Sequence, residues 1–82
     1  MEKKHKKLNR TETKHLRLMG EKIRVLRLGK KLTQAELAVE CELDKQTIFR
    51  IEKGEINMTL STLFRLADAL DVVATDLLIS TV

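Results

Sequence analysis

The sequence predicts an all-α fold, a compact bundle of five short helices, and three observations carry that expectation. Apolar side chains recur at helical spacing in segment after segment, and nowhere with a credible period of two. The 82 residues hold no proline, three glycines and two aromatics, a composition of helices and short connectors rather than of a strand-rich sandwich. A chain of 9.4 kDa has room for one small domain, and with 43% hydrophobic and 34% charged residues it can bury a thin core.

The first helix is predicted over roughly 13–30. Leu16, Met19, Ile23 and Leu26, separated by Arg17, Lys22, Arg24 and Arg27, make it amphipathic, and Gly29 with the Lys30–Lys31 pair closes it. Thr33 and Glu36 form a Thr-x-x-Glu capping box, in which the hydroxyl accepts an amide proton of the first turn and the carboxylate reaches back. It opens a second helix over about 34–41, with Ala35, Leu37, Ala38 and Cys41 on its buried side. Glu42 and Leu43 break the pattern, and Asp44 caps a third helix over about 45–53 that Gly54 ends. There Ile48 and Ile51 point inward, leaving Lys45, Gln46, Thr47, Phe49, Arg50 and Lys53 outside, a high density of long donors for so short a helix. Thr59 caps the fourth helix, whose Leu60, Leu63, Phe64, Leu66, Ala67 and Leu70 read as a core stripe, and a last short helix around 74–79 carries Leu77 and Leu78.

The second and third helices, joined by three residues, have the make-up of a helix-turn-helix. Close crossing needs a small residue, which Ala38 supplies; the turn needs one apolar plug, which is Leu43. The third helix must bury two residues one turn apart and keep its other side free, as Ile48 and Ile51 allow.

From about Leu18 to Leu78 the chain resembles the Cro/phage-repressor (XRE) family of helix-turn-helix DNA-binding domains, through the stretches EKIRVLR, LTQAELA, LDKQTIFRIEKGE and NMTLSTLFRLADALDV. The resemblance implies a five-helix lambda-repressor-like domain that binds double-stranded operator DNA as a two-fold dimer. It also implies roles. Gln34 would contact a phosphate and brace the third helix, while Lys45, Gln46 and Arg50 would read base edges. Arg and Lys donate to guanine O6 and N7, and Gln pairs with adenine N6 and N7, so the residue types suit the task. Thr47, Lys53, Asn57 and Thr59 would serve as backbone or supporting contacts, and Arg27 with Glu52 would form a buried ion pair. Two positions depart from the family pattern. Glu42 stands where glycine is usual, so it either takes a left-handed conformation or the turn differs; Phe49 stands where small or polar residues are common, and either packs partly on its own domain or meets a thymine methyl or a partner.

Charge is unevenly placed. Residues 1–15 carry six Lys and Arg against Glu2 and Glu12, which accounts for the whole net charge of +4. This segment is either a basic flexible arm or the start of the first helix, with the domain proper over 16–82; it is a solvated tail or an arm along phosphates. One cysteine excludes an intrachain disulfide, and Cys41 lies on an apolar face as a small core residue. No cluster with metal-ligand spacing, glycine-rich phosphate loop or nucleophile motif is present, and His5 and His15 have no fixed partner, so neither metal, cofactor nor enzymatic activity is expected. Neither a membrane span nor a signal peptide is legible.

The expected function is therefore sequence-specific double-stranded DNA binding by a cytoplasmic, nucleoid-associated transcriptional regulator that acts by occupying a palindromic operator. It would form a homodimer through the fifth helix and the C-terminal end, Leu77, Leu78, Ile79 and Val82. The alternative is a protein-binding module, such as an antitoxin that binds DNA as its own autoregulator, served by Phe49 and the apolar C-terminal end.

Overall fold

A computed structural model of the chain describes residues 8–78, which form α1 (Arg10–Gly29), α2 (Gln34–Cys41), α3 (Lys45–Glu52), α4 (Leu60–Ala69) and α5 (Ala74–Leu78). No strand occurs among the described residues. α2 packs on α3 and α4, α1 crosses α3 and touches α5, and α5 closes on α4. Ile23, Leu37, Cys41, Ile48, Ile51, Leu66 and Leu77 sit where these elements meet and are sealed from water.

α1 begins three residues before the expected start. Asn9 Oδ1 accepts the Glu12 amide at 2.8 Å and Glu12 Oε1 accepts the Asn9 amide at 2.9 Å, a capping box that lies ahead of the first apolar stripe residue. Arg10–His15, expected as arm or helix start, are thus helical, and residues 1–7 of the basic segment lie outside the described residues.

The first four helices end by the same device. The amides of Lys31, Glu42, Gly54 and Asp71 bond back to the carbonyls of Leu28, Val39, Ile51 and Asp68, and the next amide in each case reaches one residue further, to Arg27, Ala38, Arg50 and Ala67. Each closing residue takes a left-handed φ, between 58° and 76°. Gly29 does not play this part: it is the last helical residue of α1, and Lys31 makes the turn. Glu42 adopts the left-handed conformation rather than altering the turn. At three of these turns the strain is offset by burial, since Leu32, Leu43 and Val72, each next in the chain after the left-handed residue, pack against the core.

Two glycines mark close approaches. A Cβ on Gly20 would stand 2.4 Å from the Ile51 carbonyl oxygen and 2.7 Å from that of Glu52, so α1 rests directly on the last turn of α3. A Cβ on Gly54 would lie 2.6 Å from Arg17 Cα.

The expected core stripe of α4 is too wide. Leu63, Leu66, Ala67 and Leu70 are buried, but Leu60 is 65% and Phe64 56% exposed, because the apolar arc exceeds what α2 and α5 cover. On α5 the reverse holds: Leu77, expected on an outer surface, is 1% exposed and belongs to the core, whereas Leu78 faces out. Ile79 and Val82 lie outside the described residues.

Relieving or adding strain should move stability in opposite directions. Glu42→Gly is expected to raise the urea midpoint by the equivalent of about 1 kcal/mol without changing the slope. Gly20→Ala should lower stability by ~1–3 kcal/mol in the same titration, because the neighbour it meets is backbone.

Candidate nucleic-acid interface

α2 and α3 are set by local chemistry at each end. Thr33 Oγ1 accepts the Glu36 amide at 3.0 Å and Glu36 Oε1 accepts the Thr33 amide at 2.8 Å, which opens α2 with a reciprocal cap. After the left-handed turn at Glu42, Asp44 Oδ1 accepts the Thr47 amide at 2.7 Å and starts α3. Hydrogen bonds from the Thr47 side chain and amide favour the charged form of the Asp44 carboxyl and lower its pKa from the ordinary aspartate value.

α3 is divided lengthwise. Ile48, Ile51 and Glu52 are buried, Thr47 is half-buried, and Lys45, Gln46, Phe49, Arg50 and Lys53 are exposed. The three residues expected to read bases thus share the outer side of one helix with Lys53. Phe49 remains partly exposed, and the Lys53 ammonium lies 5.2 Å from its ring centroid, within cation–π range.

The inner side ends in a buried ion pair. Arg27 Nε donates to Glu52 Oε2 at 2.7 Å and Nη2 to Oε1 at 3.1 Å, a two-pronged pairing of residues 7% and 8% exposed. Gln34 Nε2 donates to the same Oε1 at 3.1 Å, and Arg27 Nη1 donates to the Leu32 carbonyl at 2.8 Å. One carboxylate therefore joins the end of α1, the first residue of α2 and the last of α3. Lys31, Gln34 and Lys45 line one open cleft beside the start of α2.

The remaining expected contacts lie in the loop after α3. Thr59 Oγ1 accepts the Thr62 amide at 3.1 Å as the cap of α4, and Asn57 is exposed. Cys41 is enclosed between α2 and α4; its thiol faces the Arg65 carbonyl, and burial pushes its pKa up to about 11. Among the described residues no group of His, Cys, Asp and Glu is placed to hold a metal ion, and no helix is long and apolar enough to cross a membrane.

Sequence reasoning misses two residues beside this surface. Glu55 lies 3.8 Å from Arg50 Nε and 3.7 Å from Lys53 Nζ, so one exposed carboxylate sits beside two outward cations. Its signal is the chain spacing alone, five residues after Arg50 and past a glycine, which becomes proximity only when Gly54 turns the backbone. Lys31 reads in the sequence as a helix-closing charge, yet it is a left-handed turn residue at the mouth of the α2 cleft.

A capped helix, a three-residue turn and a second helix with one side sunk and one side free define a helix-turn-helix domain. The model of the helix-turn-helix family matches residues 23–78. The control protein C.BamHI of Bacillus amyloliquefaciens is 40% identical over 68 residues, covering 80% of this chain and 84% of that protein. The restriction-modification controller protein C.AhdI from Aeromonas hydrophila superposes with a TM-score of 0.74 at 35% identity, covering 76% of this chain and 94% of that one. A hypothetical transcription factor, NHTF from Neisseria, gives a TM-score of 0.79 at 32% identity over 84% of this chain and 78% of that one. The chain belongs to the helix-turn-helix family of Cro/phage-repressor type and is a sequence-specific DNA-binding transcriptional regulator.

Breaking the ion pair tests how far the interface depends on it. Arg27→Met leaves Glu52 charged, buried and short of two donors, and should cost ~3–5 kcal/mol of unfolding free energy by denaturant titration.

Proposed function

We propose that the protein regulates transcription by occupying a two-fold symmetric DNA site, with α3 of each subunit in the major groove. The observation that carries this reading is the lengthwise division of α3: its apolar side is committed to the core, and its free side presents Lys45, Gln46, Arg50 and Lys53 together. Lys45, Gln46 and Arg50 read base edges, Arg50 or Lys45 at guanine and Gln46 at adenine. Gln34 at the start of α2, with Thr47, Lys53, Asn57 and Thr59, holds the sugar-phosphate backbone or supports the readers, and the Arg27–Glu52 pair fixes their mutual geometry.

Self-association moves from α5 to the outer side of α4 in this reading. Leu60 and Phe64 are one turn apart and exposed, and on α5 Leu78 is exposed where Leu77 is buried. A dimer sets its two recognition helices ~34 Å apart, one turn of DNA. Similarity to the control protein C.BamHI and to the restriction-modification controller protein C.AhdI supports a role as a controller protein of this kind. The antitoxin alternative draws less support, because Leu77 is in the core and Lys53 lies over the Phe49 ring.

Selection of bound duplexes from a random pool should return one site with two-fold symmetry. On that site Arg50→Ala and Gln46→Ala should each lose ~1–3 kcal/mol of discrimination at one base pair per half-site, while Lys53→Ala weakens binding to all sequences alike. Retained discrimination in both base-reader variants, with the fold intact, would overturn the assignment. Phe64→Glu should convert a dimer to a monomer in sedimentation equilibrium; a dimer of unchanged affinity would place the interface elsewhere.

A further inference from the structure

We infer that the first two turns of α1 form a second DNA-binding strip, which grips the sugar-phosphate backbone flanking the site that α3 reads. The inference rests on α3 being the base-reading helix and extends that role to residues outside the 23–78 match to the helix-turn-helix family.

Arg10, Lys14 and Arg17 follow one another at intervals of four and three, which sets them along one flank of α1 over ~10 Å at the helical rise of 1.5 Å per residue. All three are exposed, and none takes part in an ion pair among the described residues. The nearby carboxylate of Glu12 is occupied at the helix start by the Asn9 amide. The strip is anchored to the reading helix by backbone contact. Arg17 lies so close to Gly54 that a Cβ there would be 2.6 Å from its Cα and 2.8 Å from its nitrogen, and Gly54 directly follows Lys53. On its other side the same stretch of α1 shares a groove with the loop after α3, where Leu8, Thr11 and His15 face Asn57. The start of α1 is thus held against the residue that follows Lys53 and beside a loop proposed to meet the backbone.

Charge placement points the same way. Over residues 8–17, Arg10, Lys14 and Arg17 stand against Glu12 alone, a local net charge of +2 on the start of α1. Double-stranded DNA carries a phosphate every ~1.7 Å of axis, and each phosphate neutralised adds about 0.9 to the salt dependence of binding. A strip three cations long reaches backbone beyond the base pairs that α3 touches and adds affinity without adding sequence preference.

The test uses the full chain and the selected duplex, made with and without five extra base pairs at each end. The variant carrying Arg10→Gln, Lys14→Gln and Arg17→Gln should bind with a salt slope flatter by about 2–3, lose the benefit of the longer ends, and keep the base preference of the unaltered protein. Lys14→Gln alone, which leaves the other cations in place, should flatten the slope by about 0.9. Unchanged slopes and an unchanged effect of duplex length in either folded variant would overturn the inference while leaving the role of α3 intact. Failure of the unaltered protein to select any duplex would overturn both.

Discussion

A carboxylate taken out of water must be surrounded by donors, and Glu52 finds three of them on two other helices. Two come from Arg27 on α1 and one from Gln34 at the start of α2. Another guanidinium nitrogen, Arg27 Nη1, donates to the Leu32 carbonyl, just beyond the left-handed residue that ends α1. The angle between α2 and α3 is therefore fixed from inside the molecule, at a point where a misplaced helix would leave a buried charge unmet. Exposed pairs such as Lys30–Asp71 and Lys53–Glu55 cannot impose geometry in this way, because water competes for both partners.

The helix ends obey a second constraint. Four turns use the same backbone path, yet only one has glycine at its left-handed position. Lys31, Glu42 and Asp71 accept the steric cost, and in each case the next residue turns an apolar side chain onto the core. At Gly54 a further condition applies, since the backbone of Arg17 occupies the place of a Cβ. Glycine is kept where strain and collision coincide. Gly20, in the middle of a helix, is explained by collision alone.

Much of this architecture is legible in the residues. Capping side chains mark the starts of α2, α3 and α4, and the donor-rich outer side of α3 follows from the placement of Ile48 and Ile51. The start of α1 is also written, in Asn9 and Glu12, but a search led by apolar spacing begins at Leu16 and passes over it. Burial on α4 and α5 is not legible. Periodicity says which residues share an arc, whereas Leu60, Phe64 and Leu77 are sorted by how much of that arc the neighbouring helices cover. The same limit hides the Gln34–Glu52 bond, eighteen residues apart in the chain, and the approach of Arg17 to Gly54.

The lengthwise division of α3 has an evolutionary corollary. Lys45, Gln46 and Arg50 lend little to the folded state, while Ile48, Ile51 and Glu52 hold the helix in place. Mutation can therefore rewrite the exposed half with little loss of foldedness, and under the proposed role of α3 a lineage acquires new genomic targets without first rebuilding its scaffold.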